Sequence, residues 1–220
     1  MMIIHLPLDH PLTRFALAGT LAASLAGCAP NLAASSPETD TQKNSQTETS
    51  TKSGEVTTTT VDADSAKKGN WAYFSFSEGK VVTPADAATS TDWDIAFQGT
   101  NIKSNGGING TGGVTVARLV DQDFEALTQA PSSGYVADAA DSDDAGSAQD
   151  TGFLINGGWY DYNPTTHVVT VKTNVVFVVK ATSGKYFKLK TTKYYDDAGT
   201  ARIVTFLWAE ITAPTATASL

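Results

Sequence analysis

The sequence predicts an all-β fold of antiparallel strands and hairpins. Three observations carry that expectation. The stretch from Gly157 to Tyr195 is the densest block of β-branched and aromatic residues in the chain. Apolar residues alternate with polar ones at a period of two in several segments, the pattern of a strand with one wet face. Short turn signals separate these segments, and short connections favour antiparallel neighbours. A length of 220 residues with 41% apolar content is enough for one domain with a core. The formal net charge of -8 sets nucleic acid aside as a partner, because phosphate backbones are bound through basic patches.

The N-terminal segment reads as a leader. Arg14 precedes the apolar run FALAGTLAASLAG, which closes on Leu25-Ala26-Gly27-Cys28. A positive start, a short apolar stretch and small residues before the cut describe a secretory signal peptide over residues 1–27. The run is well short of the ~20 apolar residues of a membrane span. Leu-Ala-Gly-Cys resembles the bacterial lipoprotein box, which implies that Cys28 is acylated and becomes the mature N-terminus. Cys28 is also the only cysteine, so no internal disulfide forms. With Ala29 rather than aspartate after it, the general sorting rule of Gram-negative bacteria points to the outer membrane. Residues 28–69 are rich in Ser, Thr, Gln, Asp, Lys and Glu, and such a segment buries too little apolar surface to offset its ordering entropy. They are expected to form a disordered tether. Thr57 to Val61 is β-branched but lacks apolar alternation, so it stays with the tether.

The folded domain is expected over residues 70–212, followed by a loose tail at 213–220. Trp71 to Phe76 is a strand, Ser77 to Lys80 a turn, and Trp93, Ile95 and Phe97 alternate with Asp94 and Ala96 as a strand with one buried face. Residues 105–113 hold five glycines, a loop where the backbone visits positive φ or closely approaches a neighbour. It lacks the Gly-Lys-Ser/Thr ending of a phosphate loop, and a strand follows it rather than a helix. That strand, Val114 to Val120, carries Arg118, expected to pair with a carboxylate. Asp123 to Leu127 reads as a short helix capped by Asp121 or Asp123. Residues 132–152 form a long acidic loop holding Tyr135, expected to be solvated. Its Asp141 to Gly146 has alanine where a calcium loop needs its third ligand. Hairpins follow: a turn at Asn163 to Thr166 into His167–Val171, Thr182 to Gly184 between Val175–Ala181 and Lys185–Tyr195, and Asp196 to Thr200 into Ala201–Ile211.

The residue inventory argues against catalysis. A nucleophilic hydrolase needs a nucleophile, a base and an orienting group. Once the leader is removed, one histidine remains, His167, and there is no Gly-x-Ser-x-Gly. One histidine is also too few for a zinc centre. The chain is therefore expected not to be an enzyme. Haem asks for less, since its iron needs one or two axial side chains while an apolar macrocycle supplies most of the contact.

Trp159, Tyr160 and Tyr162, then Thr166-His167, the run from Val175 to Tyr195, the strand around Thr205 and Trp208, and Trp93 to Phe97 before the glycine-rich loop together resemble the HmuY family of haem-binding lipoproteins. The resemblance covers roughly residues 70–212. It implies haem as the ligand, His167 as an axial iron ligand, and delivery to a TonB-dependent receptor at the outer membrane. Family members use a second His or Met, and this chain offers neither after the leader. Tyr135 is the substitute available, since tyrosinate ligates ferric haem. Five-coordinate iron and a haem shared between two molecules through His167 are the other arrangements. Lys172, Lys188 and Arg118 are candidates for the propionates. The alternative function is a surface lipoprotein whose β-domain binds a glycan or protein and no haem.

Overall fold

The computed structural model describes residues 48–53, 55–142 and 149–215. Cys28, the leader and most of the expected tether lie outside them. Thirteen strands are described, and every strand pairing is antiparallel. Seven make one sheet in the order β1 (Glu48–Ser53), β2 (Val56–Asp62), β13 (Ala201–Ile211), β12 (Tyr186–Tyr195), β11 (Val175–Lys180), β7 (Thr115–Val120), β8 (Tyr135–Val136). Four make a second: β4 (Lys80–Val82), β3 (Ala72–Ser75), β5 (Ile95–Gln98), β6 (Asn101–Ser104). A separate hairpin pairs β9 (Tyr160–Asn163) with β10 (Val168–Val171).

The two larger sheets meet across an aromatic core. Phe97 stacks on Phe206 at 5.1 Å, Phe76 stacks on Phe187 at 4.7 Å, and Phe74 meets Phe206 edge-on at 5.3 Å. Such pairs add to area burial because ring edges and faces carry opposite partial charge. Alternate residues of β7 and β11 separate the faces of the large sheet. Val116, Phe177 and Val179 point into this core, while Ala117 and Val178 join a smaller cluster behind the sheet with Ala130 and Ile211.

Strand structure begins earlier in the chain than expected. β2 lies inside the large sheet, with Thr57 to Asp62 paired to β13, and Val61 and Thr59 are fully buried. Hydroxyl pairs hold it where apolar alternation is absent. Thr60 and Thr205 hydroxyls bond at 2.8 Å, and Trp208 Nε1 donates to Thr59 Oγ1 at 3.0 Å. The expected helix at Asp123 is instead a turn, in which Asp123 Oδ1 accepts from the Glu125 amide at 2.8 Å. The strand at Trp93 to Phe97 is buried on both faces, since Asp94 and Ala96 are as inaccessible as Ile95. Arg118, expected to pair with a carboxylate, instead donates from Nε to the Gly158 carbonyl at 3.1 Å.

Asp94 joins the two sheets. One carboxylate oxygen accepts from the Phe76 amide at 2.8 Å, and the other accepts from both the amide and the hydroxyl of Thr182 at 2.8 Å. Phe76 follows β3, whereas Thr182 belongs to the turn between β11 and β12. Removing the carboxylate strands three donors in or near the interior, and buried donors without acceptors cost about 1–3 kcal/mol each. Asp94→Ala should therefore lower unfolding free energy by about 3 kcal/mol in urea titrations; a loss under ~1 kcal/mol would show that water replaces the carboxylate.

The acidic loop is pinned rather than solvated at Asp138, which is 2% exposed. Its carboxylate accepts from the Ser104 amide at 2.6 Å, Asn109 Nδ2 at 2.9 Å and the Gly152 amide at 3.2 Å. Its carbonyl lies where a side chain at Gly107 would begin, 1.8 Å from an ideal Cβ at φ +59°, so this part of the glycine-rich loop closes on Asp138 as no other residue could. Burial raises the Asp138 pKa above its usual 3.8 although these bonds pull it down. The folded state thus takes up a proton more readily than the unfolded chain, and ionised Asp138 subtracts stability above its raised pKa. That loss is relieved as pH falls toward 3.8. Thermal melts should accordingly show the deficit of Asp138→Asn relative to wild type widening between pH 7 and pH ~4; a constant deficit would contradict the shift.

Candidate functional site

The β9–β10 hairpin carries the one imidazole of the domain. Its turn is set by Asn163, whose Oδ1 accepts from the amides of Thr165 at 2.9 Å and Thr166 at 3.1 Å. Asn163 and the Pro164 that follows it are turn formers for these reasons. The turn then passes through His167 at φ +57°, a left-handed conformation rare outside glycine. His167 is exposed, and its Nδ1 lies 2.5 Å from the hydroxyl of Tyr162 on the opposite strand. Among the described residues, Tyr162 and Val168 are two of the four large apolar side chains left exposed, at 51% and 44%. The register pairs Tyr162 with Val169 and Val168 with Asn163, so Tyr162, which is bonded to the imidazole, and Val168 project to opposite faces of the hairpin.

The base of the hairpin is fixed to the core. Trp159 is buried and donates from Nε1 to the Thr100 carbonyl at 3.1 Å, and the Val169 amide donates to the Tyr195 hydroxyl at 3.0 Å. Arg118 holds the Gly158 carbonyl, and Lys172 holds the Gly157 carbonyl while pairing with Asp161 at 3.2 Å. Two of the three cations considered for propionates thus anchor the hairpin's foot, away from its tip. Lys188, the third, is 5% exposed and donates to the Phe124 carbonyl at 2.7 Å. It supports the turn at residues 124–126 from behind the sheet.

Tyr135 and His167 are not brought together. Tyr135 pairs with Ala117 and packs behind the large sheet, against Tyr186 at 5.8 Å. The hairpin packs on the other face, through Trp159 and Val169. The sheet itself stands between the expected pair of ligands. The Tyr135 hydroxyl is buried with no partner among the described residues, and burial pushes its pKa upward, which favours the neutral phenol over tyrosinate. Sequence reasoning found His167 but missed Tyr162 as its partner. The signal was available in the five-residue spacing across an Asn-Pro turn, which sets the two side chains near each other on adjoining strands.

The HmuY protein family matches residues 67–208 of the chain. Among solved structures, the apo HmuY analogue of Tannerella forsythia is similar at 17% identity and a TM-score of 0.52, over 77% of this chain and 98% of that one. A Bacteroides fragilis protein designated a lipoprotein is similar at 17% identity and a TM-score of 0.51, over 70% of this chain and 89% of that one. A Bacteroides vulgatus protein designated HmuY-like and heme binding aligns at 22% identity and a TM-score of 0.49, over 70% of this chain and 91% of that one. At these identities the first two show a shared fold. No curated protein matches the chain.

The backbone at His167 gives a stability test. A left-handed residue with a Cβ costs about 1–2 kcal/mol, which glycine avoids. His167→Gly should raise the unfolding free energy by up to about 1 kcal/mol, part of the gain being lost to the greater freedom of the unfolded chain. A clear destabilisation in the same measurement would mean that the Tyr162 contact outweighs the strain.

Proposed function

The chain belongs to the HmuY family, and from that premise we propose that it is a haem-binding lipoprotein whose axial ligand is His167. The observation that carries this reading is the imidazole itself. It is exposed, and its Nδ1 lies beside the hydroxyl of the uncovered Tyr162.

The residues present fit a haem on one side. The Tyr162 hydroxyl and His167 Nδ1 share a hydrogen bond; in the tautomer whose Nδ1–H donates to the phenol oxygen, the lone pair of Nε2 is left for iron. Ligating histidines usually fix their second nitrogen in this way, and losing the partner weakens metal binding about 10–100-fold. Tyr162 is therefore the positioning residue of the site. Haem, when bound, supplies a flat apolar surface and a ferric centre that accepts nitrogen donors. Acyl chains on Cys28 hold the protein at the outer membrane, with residues 29–47 as the remaining tether, and a TonB-dependent receptor takes the haem onward.

The glycan alternative is favoured by one feature. A cleft of about 320 Å³ beside β6 is lined by Trp71, Asn101, Lys103 and Gln149. The Lys103 ammonium sits there 4.2 Å from the Trp71 ring centroid and 5.3 Å from that of Tyr73. An aromatic, two carboxamides and a cation suit a sugar, but the cleft is far smaller than a haem pocket needs to be, and the family favours haem.

Mixing the mature chain with ferric haem should produce a shifted Soret band. His167→Ala and His167→Gly should both abolish it, the latter while the protein remains folded. An unchanged band in these variants would remove His167 from the site. Tyr162→Phe should keep the band but weaken haem affinity about 10-fold. Unaltered affinity would reduce the tyrosine to a structural neighbour.

A further inference from the structure

A haem seated on His167 has one axial face served by this chain and one that the chain leaves without a ligand. The histidines are His5, His10 and His167, and the methionines are Met1 and Met2. From Cys28 onward there is thus a single imidazole and no thioether. Tyr135 lies behind the large sheet as a buried phenol. Tyr162 shares the hairpin with His167 and is bonded to its Nδ1. Neither tyrosine can approach the opposite axial face of an iron held by Nε2.

We propose that a second copy of the chain supplies the missing ligand, so that two His167 side chains hold one haem between two hairpin tips. This rests on the haem-binding reading above and adds the partner that completes the site. The tip suits such a meeting. Residues 162–170, YNPTTHVVT, carry no charged side chain, although the chain as a whole carries a net charge of -8. Two copies therefore approach tip to tip without facing like charges, and charges set back from the tip are screened beyond ~8 Å at physiological salt. Exposed Tyr162, bonded to the imidazole of each copy, gives each face of the macrocycle an aromatic contact, which a single hairpin gives to one face only. The firm anchoring of the hairpin's foot, through Trp159, Arg118 and Lys172, leaves the tip free of contacts that would block a neighbour.

The test is a ferric haem titration of the mature chain with Cys28→Ser, followed by absorption and by sedimentation. The expected result is saturation at one haem per two chains, a haem-dependent doubling of mass and a low-spin spectrum. Excess free imidazole should then take the place of the second copy, halving the mass and moving the stoichiometry to one haem per chain while the low-spin spectrum persists. Val168→Glu, which adds a like charge to each otherwise uncharged tip, should weaken haem-dependent doubling at least 10-fold. Saturation at one haem per chain, dependent on His167 but with no change in mass, would overturn the bridge and leave the haem-binding reading standing. Haem uptake indifferent to His167 would overturn both.

Discussion

Asp94 is the constraint on which the rest of the structure depends. A β-sandwich of two antiparallel sheets is held mostly by non-directional contact between their inner faces, which tolerates sliding. Asp94 removes that freedom. Its two oxygens take donors from the end of β3 and from the β11–β12 turn, so each sheet's position is defined against the other by directed bonds in a fully buried place. The stacked pairs Phe97–Phe206 and Phe76–Phe187 follow from that registration. So does the β9–β10 hairpin, because Trp159 and Val169 are seated in the core that the two sheets enclose.

Much of this was legible in the residues, and the failures have a common cause. Strands that announce themselves by apolar alternation were placed nearly to the residue, with β11 ending at the Thr182 turn and β12 at the Asp196 turn. Strands that depend on polar chemistry were not. β2 is a threonine run whose hydroxyls pair with Thr205 and Trp208, and no hydropathy pattern contains that information. Asp94 and Asp138 read as wet-face or loop carboxylates, yet both are buried because backbone amides from distant segments converge on them. Burial of a charge is decided by its partners, and these lie 34 and 88 residues away in sequence for Ser104 and Thr182.

The candidate site was legible in part for a different reason. Subtraction isolates His167, because the domain has no other imidazole. What subtraction cannot supply is orientation. Tyr135 seemed available as a second donor only until the parity of β7 and β8 put it behind the sheet, while Tyr162, the side chain bonded to the imidazole, read as one aromatic among many. Parity along a strand is fixed by register, and register is a tertiary property.

The pairing of β2 with β13 bears on how such a protein is made. The Thr60–Thr205 contact spans 145 residues, and the sheet's middle is assembled from the last strands of the chain. Folds dominated by such distant pairings close slowly, over milliseconds to seconds. The large sheet cannot close before the final hairpin of the chain has been synthesised. Until those last strands emerge, the residues of β2 have no partner strand but β1, and the face that they later bury stays open to solvent.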